Sequence, residues 1–535
     1  MDDIYRQTKE ILLRYKELEL MDDFEIGVNF KLYGSIYAIY YLNKNAFPLV
    51  LIVDENCEYP HFSLREAHIN GHSYKYICLF DEGGLVEYTH TIEEKTTACI
   101  ERLLHLVQMS KVEIIDEYHK EFLVYWNAAC VSKGQYGQYE YLLFVDNEHQ
   151  HQWLEQQIYK SKTIRITSSN RFFNDSTEKK TVQTTPVLFL PIIDSRELIP
   201  PLPAKPWSSK QIIDIIDGLK YQRISDEAYD EIKNTEFHKK QIFLVFKLNK
   251  ICFGCLVQFS NSDKMSLLDK LKTQIASIMP LKISRCDYSY LNSQIGNQTS
   301  DKKIALIGAG SLGSYIANEL VHAGYKNILI IDKDRYEYEN TFRHRFDHFM
   351  SCSCKSMLVA TSLNTIHPEI NARYINDYLN EENYKKLLNE NDIELIIFTV
   401  GSSDVQLRMN KTFLEDEFSV PVYYAWLEHD GETSHVAIIN DFKNGCFECL
   451  YTSPDGDLGE NVVNKADKTT IRYIRNGCGG TRVPYGNKTL LTASALILKA
   501  ISDNEKGNAL YSYYNDQIVK EDFPKNGRCK NCGLY

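Results

Sequence analysis

The sequence predicts a multidomain α/β protein, and three observations support this prediction. The chain has 535 residues, more than the ~100–200 residues of a typical domain, so three or more domains are expected. Its composition, 44% hydrophobic and 25% charged, is that of a globular chain and argues against disorder. Residues 303–340 alternate an apolar strand, a glycine-rich turn, a helical segment and a second strand, which is the element order of an α/β unit.

This segment also predicts a nucleotide site. Residues 304–307 have the pattern of a buried strand, and residues 314–323 have helical spacing before Gly324. Between them, Gly308, Gly310 and Gly313 form G-x-G-x-x-G, whose backbone N–H groups can approach a phosphate at a helix N-terminus. A second strand, residues 327–331, leads to Asp332, where a carboxylate can accept both ribose hydroxyls. The C-terminal part is therefore predicted to be Rossmann-like.

The glycines and the aspartate alone favour a dinucleotide-dependent oxidoreductase. Polar residues further along the chain favour nucleotidyl transfer instead: Asn340, Arg343, Lys355 and Asp404. Attack on the α-phosphate of ATP requires neutralisation of the triphosphate charge and a carboxylate for Mg²⁺, whereas hydride transfer has no use for several cations beyond the nucleotide. We expect ATP and Mg²⁺, with an NAD-dependent oxidoreductase as the alternative.

From about Arg285 to the C-terminus, the chain resembles the ubiquitin-activating enzymes and their bacterial ThiF-type relatives, the adenylyltransferases of molybdopterin and thiamine sulfur carriers. The resemblance implies that Asp332 holds the ribose, that Arg343 and Lys355 hold phosphates, and that Asp404 binds Mg²⁺. Asn340 matches an asparagine that recurs in the same cofactor-binding set. It also implies a homodimer in which the partner subunit's Arg285 reaches the phosphates. These roles are expectations from the family.

Two C-x-x-C pairs predict a structural zinc site in the same region. The pairs are Cys446 with Cys449 and Cys529 with Cys532. Four thiolates at this spacing suit tetrahedral Zn²⁺ and leave no open position for catalysis. Unmetallated thiols are the alternative. The same paired knuckles occur in the activating enzymes.

Cys478 lies in a glycine-rich loop just before an apolar helix, between Arg475 and Arg482. A cysteine in such a place can have its thiolate stabilised, although a small residue in a turn is the simpler interpretation. The resemblance to activating enzymes, which carry a thioester cysteine on a crossover loop here, makes Cys478 the predicted nucleophile. Cys352 and Cys354 are not expected to take this role.

The N-terminal region has a second signature, His68-Ile69-Asn70 followed by Ile77-Cys78-Leu79. It resembles the His-Pro-Asn and Ile-Cys-Leu elements of ubiquitin-conjugating enzymes. The resemblance implies that Cys78 carries a thioester and that Asn70 stabilises the oxyanion during attack by an amine. A buried core cysteine is the alternative for Cys78. The first twenty residues are predicted to form an amphipathic helix.

The predicted domains are a ubiquitin-conjugating-like α/β domain (1–138), a β-rich linker domain (139–284) and a ThiF-type adenylation domain (285–535). The middle domain is indicated by the apolar stretches TPVLFLPII and QIFLVFKLNKICFGCLVQF. Cys252 and Cys255 lie among aliphatic residues of the second stretch, so strand packing is expected for them rather than metal binding.

The net charge of −12 argues against a nucleic-acid footprint, which needs a basic face. We find no signal peptide, transmembrane run or lipidation motif in the sequence, so we expect a cytoplasmic protein without a membrane partner.

The domain order resembles the bacterial fusion enzymes of cyclic-oligonucleotide antiphage (CBASS) systems. The resemblance implies adenylation of a partner's C-terminus, a thioester on Cys478, transfer to Cys78 and conjugation to a target amine. The activated C-terminus would be that of a cyclic nucleotide synthase, or of a ubiquitin-like protein in a related pathway. The alternatives are a sulfur-carrier adenylyltransferase and a non-enzymatic scaffold that binds ATP without turnover.

Overall fold

The computed structural model describes residues 2–21, 26–43, 45–53, 61, 65–80, 90–133, 139–159, 162–169, 173, 181–202, 205–218, 220–346, 353–465, 474–476 and 480–533. The chain folds into two compact units. One comprises Met1–Asn170 with Lys180–Arg285, and the other Arg171–Lys179 with Cys286–Tyr535.

The first unit begins with helix α1 (Asp2–Leu12) and a six-stranded antiparallel sheet. Its strands are β1 (Leu18–Leu20), β2 (Val28–Leu32), β3 (Ser35–Tyr40), β4 (Leu49–Ile52), β5 (Arg65–Ile69) and β6 (His72–Tyr76), in the order β1-β2-β3-β4-β6-β5. The predicted helix over the first twenty residues is wrong in its second half, because Leu18 and Leu20 pair with Leu32 and Phe30 of β2. Sheet pairing overrides the local helical pattern there.

Three helices follow this sheet: α2 (Ile92–Gln108), α3 (Lys111–Lys120) and α4 (Phe122–Ser132). A capping box starts α2, in which the Thr91 hydroxyl accepts from Glu94 N (3.2 Å) and the Glu94 carboxylate accepts from Thr91 N (2.6 Å). Ile100 and Leu103 of α2 are buried against the sheet. Helix α4 instead packs on the next sheet, where Trp126 is buried and donates to Leu281 O (3.1 Å).

The second sheet of this unit has eight strands, and buried hydrophobic residues lie on both of its faces. The strands are β7 (Glu140–Leu143), β8 (Gln152–Tyr159), β9 (Thr163–Thr167), β10 (Thr181–Ile192), β12 (Gln241–Leu248), β13 (Ile251–Phe259), β15 (Ile275–Leu281) and β16 (Ile283–Arg285), in the order β15-β13-β12-β10-β8-β9-β7-β16. Helices α5 (Ser209–Asp217), α6 (Asp226–Asn234) and α7 (Leu267–Thr273) and the pair β11 (Glu236–Phe237) and β14 (Met265–Ser266) complete the unit. The predicted apolar stretches are thus strands, and Cys252 and Cys255 are buried in β13.

The second unit is an eight-stranded sheet with helices on both faces. Its strands are β17 (Ser300–Ile307), β18 (Tyr325–Ile331), β19 (Asn371–Ile375), β20 (Leu395–Phe398), β21 (Val422–Leu427), β22 (Ser434–Ile439), β25 (Ala509–Tyr514) and β26 (Gln517–Asp522), in the order β19-β18-β17-β20-β21-β22-β25-β26. Its helices are α8 (Tyr288–Gln294), α9 (Ser311–His322), α10 (Lys355–Ile366), α11 (Tyr384–Asn389), α12 (Ser403–Glu415) and α13 (Asn487–Asp503), with a separate pair β23 (Ile474–Asn476) and β24 (Gly480–Arg482).

The first five strands of that order are parallel, and β17 has β18 on one side and β20 on the other. The chain order therefore reverses beside β17, and ligands of such sheets bind beyond the carboxyl ends of the strands at this point. The predictions of a multidomain α/β chain and of a Rossmann-like C-terminal part are confirmed. The ubiquitin-conjugating-like identity of the N-terminal part and the three domain boundaries stay predictions. Among the helices that the structure describes, none combines the length and hydropathy needed to cross a bilayer.

The capping box of α2 yields a testable stability effect. Thr91→Ala removes the acceptor for Glu94 N and should lower the free energy of unfolding by about 1 kcal/mol. Urea unfolding followed by tryptophan fluorescence measures the change, since Trp126, Trp153 and Trp207 all lie in the first unit. Ser132→Ala, which removes an exposed hydroxyl at the end of α4, should have no comparable effect. Equal unfolding midpoints for Thr91→Ala and wild type would show that the box does not stabilise the helix.

Candidate functional site

The glycine motif forms a tight turn between β17 and α9. Gly308 follows β17 with φ of +101°, a conformation that favours glycine. A Cβ atom on Gly313 would overlap the carbonyl oxygen of Gly308, whereas one on Gly310 would meet nothing within 4 Å. Gly313 thus permits close packing of helix and loop. Gly310, the N-cap of α9, leaves open space in front of the helix N-terminus, where backbone N–H groups favour an anion.

A cavity of about 420 Å³ lies at the carboxyl ends of β17, β18 and β20, a volume typical of small-molecule sites. Of the residues predicted from the sequence, it brings together Gly308, Gly310, Asp332 and Lys355. Residues that the sequence analysis did not single out also line it: Lys333, Asp334, Asp377, Tyr378, Asn380, Glu381, Thr399 and Val405. Most of these follow a parallel strand directly, so the strand pattern itself is the signal that could have found them.

Asp332 connects the glycine turn to the next loop. Its Oδ2 accepts from Ala309 N (2.6 Å) and its Oδ1 accepts from Asp334 N (2.7 Å). Burial raises the pKa of this carboxyl, and the two backbone hydrogen bonds act in the opposite direction. Each carboxylate oxygen keeps a further lone pair, so Asp332 can still accept hydroxyl groups of a ribose in the cavity.

Two cations lie near the start of α9. Lys355, whose side chain is largely buried, pairs with Asp334 (Nζ to Oδ2, 2.8 Å) at the cavity wall. Arg343 Nη1 donates to Ser311 Oγ (3.5 Å) in the first turn of α9. Its Nε is buried and has no hydrogen-bond partner among the described residues. An anion at this helix terminus would satisfy both the backbone N–H groups and the guanidinium.

Asn340 does not line the cavity. It is buried in the 3-10 turn Tyr338–Asn340, and its Oδ1 accepts from Glu337 N (2.9 Å). Because Arg343 N donates to Asn340 O (3.0 Å), this turn sets the start of the segment that carries Arg343. The structure therefore gives Asn340 a positioning contact rather than a contact in the cavity.

His344 is a residue that the sequence analysis missed. Its Nδ1 accepts from Phe346 N (3.3 Å), so the proton is on Nε2, which donates to Ala309 O (2.9 Å) within the glycine turn. Burial lowers the pKa of His344 to about 4. The only sequence signal was its position directly after Arg343.

Asp404 is placed on the outer side of α12. Its side chain is 79% exposed and its Oδ2 lies 3.3 Å from Nε of Arg408, which does line the cavity. Asp404 is not among the lining residues, so its predicted role as a Mg²⁺ ligand stays a prediction. Asp334, Asp377 and Glu381 are the carboxylates that line the cavity together with Asp332.

The four cysteines of the two C-x-x-C pairs come together, and all are buried. Their sulfur atoms lie within 4.8 Å of one another, with Cys446 and Cys529 at 3.7 Å and Cys449 and Cys532 at 3.2 Å. Zn–S bonds of about 2.3 Å place the sulfurs of a tetrahedral site about 3.8 Å apart, so this set fits Zn²⁺. The identity of the metal stays a prediction.

Of the cysteines that the sequence analysis considered as nucleophiles, only some lie within the described residues. Cys478 and Cys352 lie outside the described residues. Cys78 is half-buried after β6, where its N–H donates to His61 O (3.1 Å) and its Sγ contacts Phe80 O (3.7 Å).

Asn70 occupies the turn between β5 and β6 with φ of +50°, and its side chain is exposed. It precedes β6 whereas Cys78 follows it, and a five-residue strand is about 16 Å long. The predicted role of Asn70 at the Cys78 thioester stays a prediction.

Arg285 lies in β16 of the first unit. Its Nη1 is 2.5 Å from Oε2 of Glu148, and its side chain is 9% exposed. Lys247 contacts the same carboxylate at 3.4 Å. The predicted role of the partner subunit's Arg285 at the phosphates stays a prediction.

Comparisons with known proteins relate the second unit to one family. Residues 293–510 match the ThiF family. The ATP-dependent ubiquitin transferase-like protein Cap2 of Pseudomonas aeruginosa (strain BWHPSA011 / Pa011) is 20% identical over 445 residues, which are 78% of this chain and 76% of that protein. Cap2 of Escherichia coli (strain TW11681) is 23% identical over 364 residues, 62% of this chain and 61% of that protein.

Two further similarities cover less of the chain. Ubiquitin-like modifier-activating enzyme 5 of Culex quinquefasciatus is 22% identical over 241 residues, 43% of this chain and 57% of that enzyme, so the chain spans little more than half of its length. The crystal structure of E. coli MccB with ATP aligns with a TM-score of 0.33 and 18% identity, covering 46% of this chain and 70% of MccB. The predicted resemblance is confirmed for a ThiF-type segment with homology to transferase-like and modifier-activating proteins.

The second and third glycines of the motif should respond differently to an added methyl group. Gly310→Ala should leave the melting temperature near that of wild type but weaken ATP binding at least about tenfold, because the methyl enters the space before the α9 N-terminus. Gly313→Ala should lower the melting temperature, because its Cβ overlaps the Gly308 carbonyl. Calorimetry and ATP titration measure both effects, and a wild-type melting temperature for Gly313→Ala would contradict the packing argument.

His344 predicts an acid-dependent loss of stability. Because its folded pKa of about 4 lies below the unfolded value of 6.5, the unfolded chain binds the proton first as pH falls. The contribution is complete above about pH 6.5 and falls by up to about 3 kcal/mol toward pH 4. Calorimetry from pH 7 to 4.5 should show a smaller loss in His344→Gln, which cannot titrate but can donate to Ala309 O. Identical profiles for wild type and His344→Gln would refute the assignment.

Proposed function

We propose that this chain is an ATP-dependent protein-conjugating ligase. Its C-terminal part would adenylate the C-terminus of a partner protein, and two cysteines would pass the acyl group to an amine on a target. The observation that carries the proposal is the cavity at the α9 N-terminus, which is lined by Gly308, Gly310, Asp332 and Lys355. Arg343 is not among the lining residues and contacts Ser311 in the first turn of α9. Such an arrangement suits a nucleoside triphosphate.

In the first step, a carboxylate oxygen of the partner's C-terminus attacks the α-phosphorus of ATP, an acyl–phosphate bond forms and pyrophosphate leaves. Asp332 accepts the ribose hydroxyls and the α9 N–H groups bind phosphate oxygens. Arg343 and Lys355 offset the charge that develops on the leaving pyrophosphate, which requires Lys355 to exchange Asp334 for a phosphate. Mg²⁺ would supply further charge neutralisation, with Asp404 or the carboxylates lining the cavity as its ligands.

In the second step, the Cys478 thiolate attacks the acyl carbon of the adenylate, so that a thioester forms and AMP leaves. The Cys78 thiolate then attacks this thioester and releases Cys478. Finally an amine of the target attacks the thioester on Cys78, an amide bond forms and the Cys78 thiol is released. On the resemblance to conjugating enzymes, Asn70 would stabilise the oxyanion that forms when the amine attacks.

The extent of similarity to Cap2 supports a role for both units. A match over 78% of the chain cannot fit within residues 286–535, so it includes part of the first unit. Joining both cysteines in one chain would also raise their effective concentration for transfer. On the resemblance to CBASS enzymes, we propose a cyclic nucleotide synthase as the activated partner, a homodimer that uses the partner subunit's Arg285, a cytoplasmic location and a role in antiphage defence.

One observation favours a second candidate, adenylation without conjugation, as in the sulfur-carrier adenylyltransferases. The ThiF match covers residues 293–510 alone, and the modifier-activating enzyme of Culex quinquefasciatus covers only 43% of the chain. In that case Cys78 would have no role, and the first unit would serve only to bind a partner.

A non-reducing gel distinguishes the two candidates. The chain is incubated with ATP, Mg²⁺ and a candidate partner that ends in a free carboxylate, and adducts sensitive to reductant are compared among variants. Cys478→Ala should lose all thioester adducts, because the acyl group then cannot leave the adenylate for a thiol. Cys78→Ala should keep the adduct on Cys478 and lose the amide product.

Cys354→Ala is the matched control, since this half-exposed cysteine has no role in the proposed relay. It should give the wild-type pattern. An amide product that persists in Cys78→Ala would refute conjugation through the first unit. Pyrophosphate release without any thioester, in wild type and variants alike, would favour adenylation alone.

A further inference from the structure

We propose that Asn410 couples the four-cysteine site to the nucleotide cavity, so that metal held by the cysteines raises the affinity for ATP. The inference rests on the proposed function, because it takes ATP as the ligand of the cavity. Asn410 would act as a positioning residue, and the metal site would influence ATP binding in addition to stabilising the fold.

One arm of the Asn410 side chain holds the cysteine-bearing turn. Asn410 lies on α12 with 0% exposure, and its Oδ1 accepts from Phe447 N (2.8 Å). Phe447 begins the 3-10 turn Phe447–Tyr451, directly after Cys446. This hydrogen bond fixes the turn to α12 at the residue that directly follows Cys446.

The other arm, Nδ2, is buried and has no hydrogen-bond partner among the described residues. The Asn410 side chain also interacts with the thiol of Cys446, one of the four cysteines of the cluster. A buried amide N–H without an acceptor is costly. A metal-bound thiolate accepts hydrogen bonds better than a neutral thiol does, so metal binding would satisfy Nδ2.

The same helix forms a wall of the cavity. Val405, Arg408 and Met409 of α12 line it, and Met409 is the residue next to Asn410. At its start, α12 has a second bond to the cysteine-bearing turn, where Tyr451 Oη donates to Ser403 Oγ (3.2 Å). A displacement of the turn would thus act on α12 at its first residue and again at Asn410 in its middle.

The cysteine-bearing turn is also fixed to the central sheet of the second unit. The Phe447 ring stacks on Tyr424 of β21, with centroids 4.2 Å apart and planes at 22°. Both residues belong to the same core cluster as Met409 and the four cysteines. Because packed cores shift between discrete arrangements rather than deform smoothly, loss of the metal would change the position of α12 and not only the mobility of the cysteines.

The test measures ATP affinity by calorimetric titration on the full chain, with zinc content determined on the same samples. Wild type is compared with itself after graded zinc removal by a chelator, and with Asn410→Leu, Asn410→Asp and the control Thr412→Val, a substitution on the same helix. Asn410→Asp keeps an acceptor for Phe447 N but replaces the donor arm, so it separates the two contacts.

We expect ATP affinity to fall about three- to tenfold in parallel with zinc content, and by a similar factor in Asn410→Leu and Asn410→Asp at full zinc occupancy. Thr412→Val should bind ATP like wild type. A role in stability alone would lower the melting temperature of the Asn410 variants and leave the ATP dissociation constant of the folded protein unchanged.

An ATP dissociation constant that is independent of zinc content would overturn the inference, as would wild-type affinity in Asn410→Asp. If Asn410→Leu does not fold, the zinc series and Asn410→Asp still decide. Failure of zinc-loaded wild type to bind ATP would instead overturn the proposed function, and the inference with it.

Discussion

The carboxylate of Asp332 is the contact on which the second unit is organised. Its two oxygens hold the amides of Ala309 and Asp334, and so join the turn after β17 to the loop after β18. His344 holds the carbonyl of the same Ala309 from the other side. Because the N–H and the C=O of Ala309 are both held, the two peptide groups before α9 are fixed without a ligand, and little reorganisation is required on binding.

Local signals made this part of the fold predictable from the sequence. The three glycines, the flanking strands and Asp332 lie within thirty residues, and Gly308 and Gly313 occupy backbone positions that require glycine. The cysteine pairs were equally accessible, because two residues between ligands is a spacing that a single turn can satisfy. For the nucleotide motif and for the cysteine pairs alike, the functional residues lie close together in the sequence. Tertiary structure then has only to bring two short segments together.

What the sequence did not reveal depends on distant contacts. The local sequence pattern predicts a helix at Leu18 and Leu20, but in the structure these residues pair with strand β2. His344 and Asn410 are single polar residues with no motif, and their roles come from a carbonyl 35 residues away and an amide 37 residues away. Asp404 was assigned from the family resemblance although it falls about one residue from the position of the family's aspartate, and its side chain is 79% exposed beside Arg408, so its role as a Mg²⁺ ligand stays a prediction. One residue of displacement on a helix is a rotation of about 100°, enough to move a carboxylate from a cavity to solvent.

The cysteine cluster also fixes an order of events during synthesis. Cys446 and Cys529 are 83 positions apart, so the cluster closes only when nearly all of the second unit has left the ribosome. Strands β17, β18 and β20 and the glycine turn come earlier and can form with local partners. Helix α12 forms a wall of the cavity and contacts the cysteine-bearing turn. The cluster in that turn is completed only when Cys532 emerges. A chain interrupted before that point could form the glycine turn but would lack the complete cysteine cluster. The position of the second cysteine pair therefore makes the cluster one of the last parts of the second unit to form.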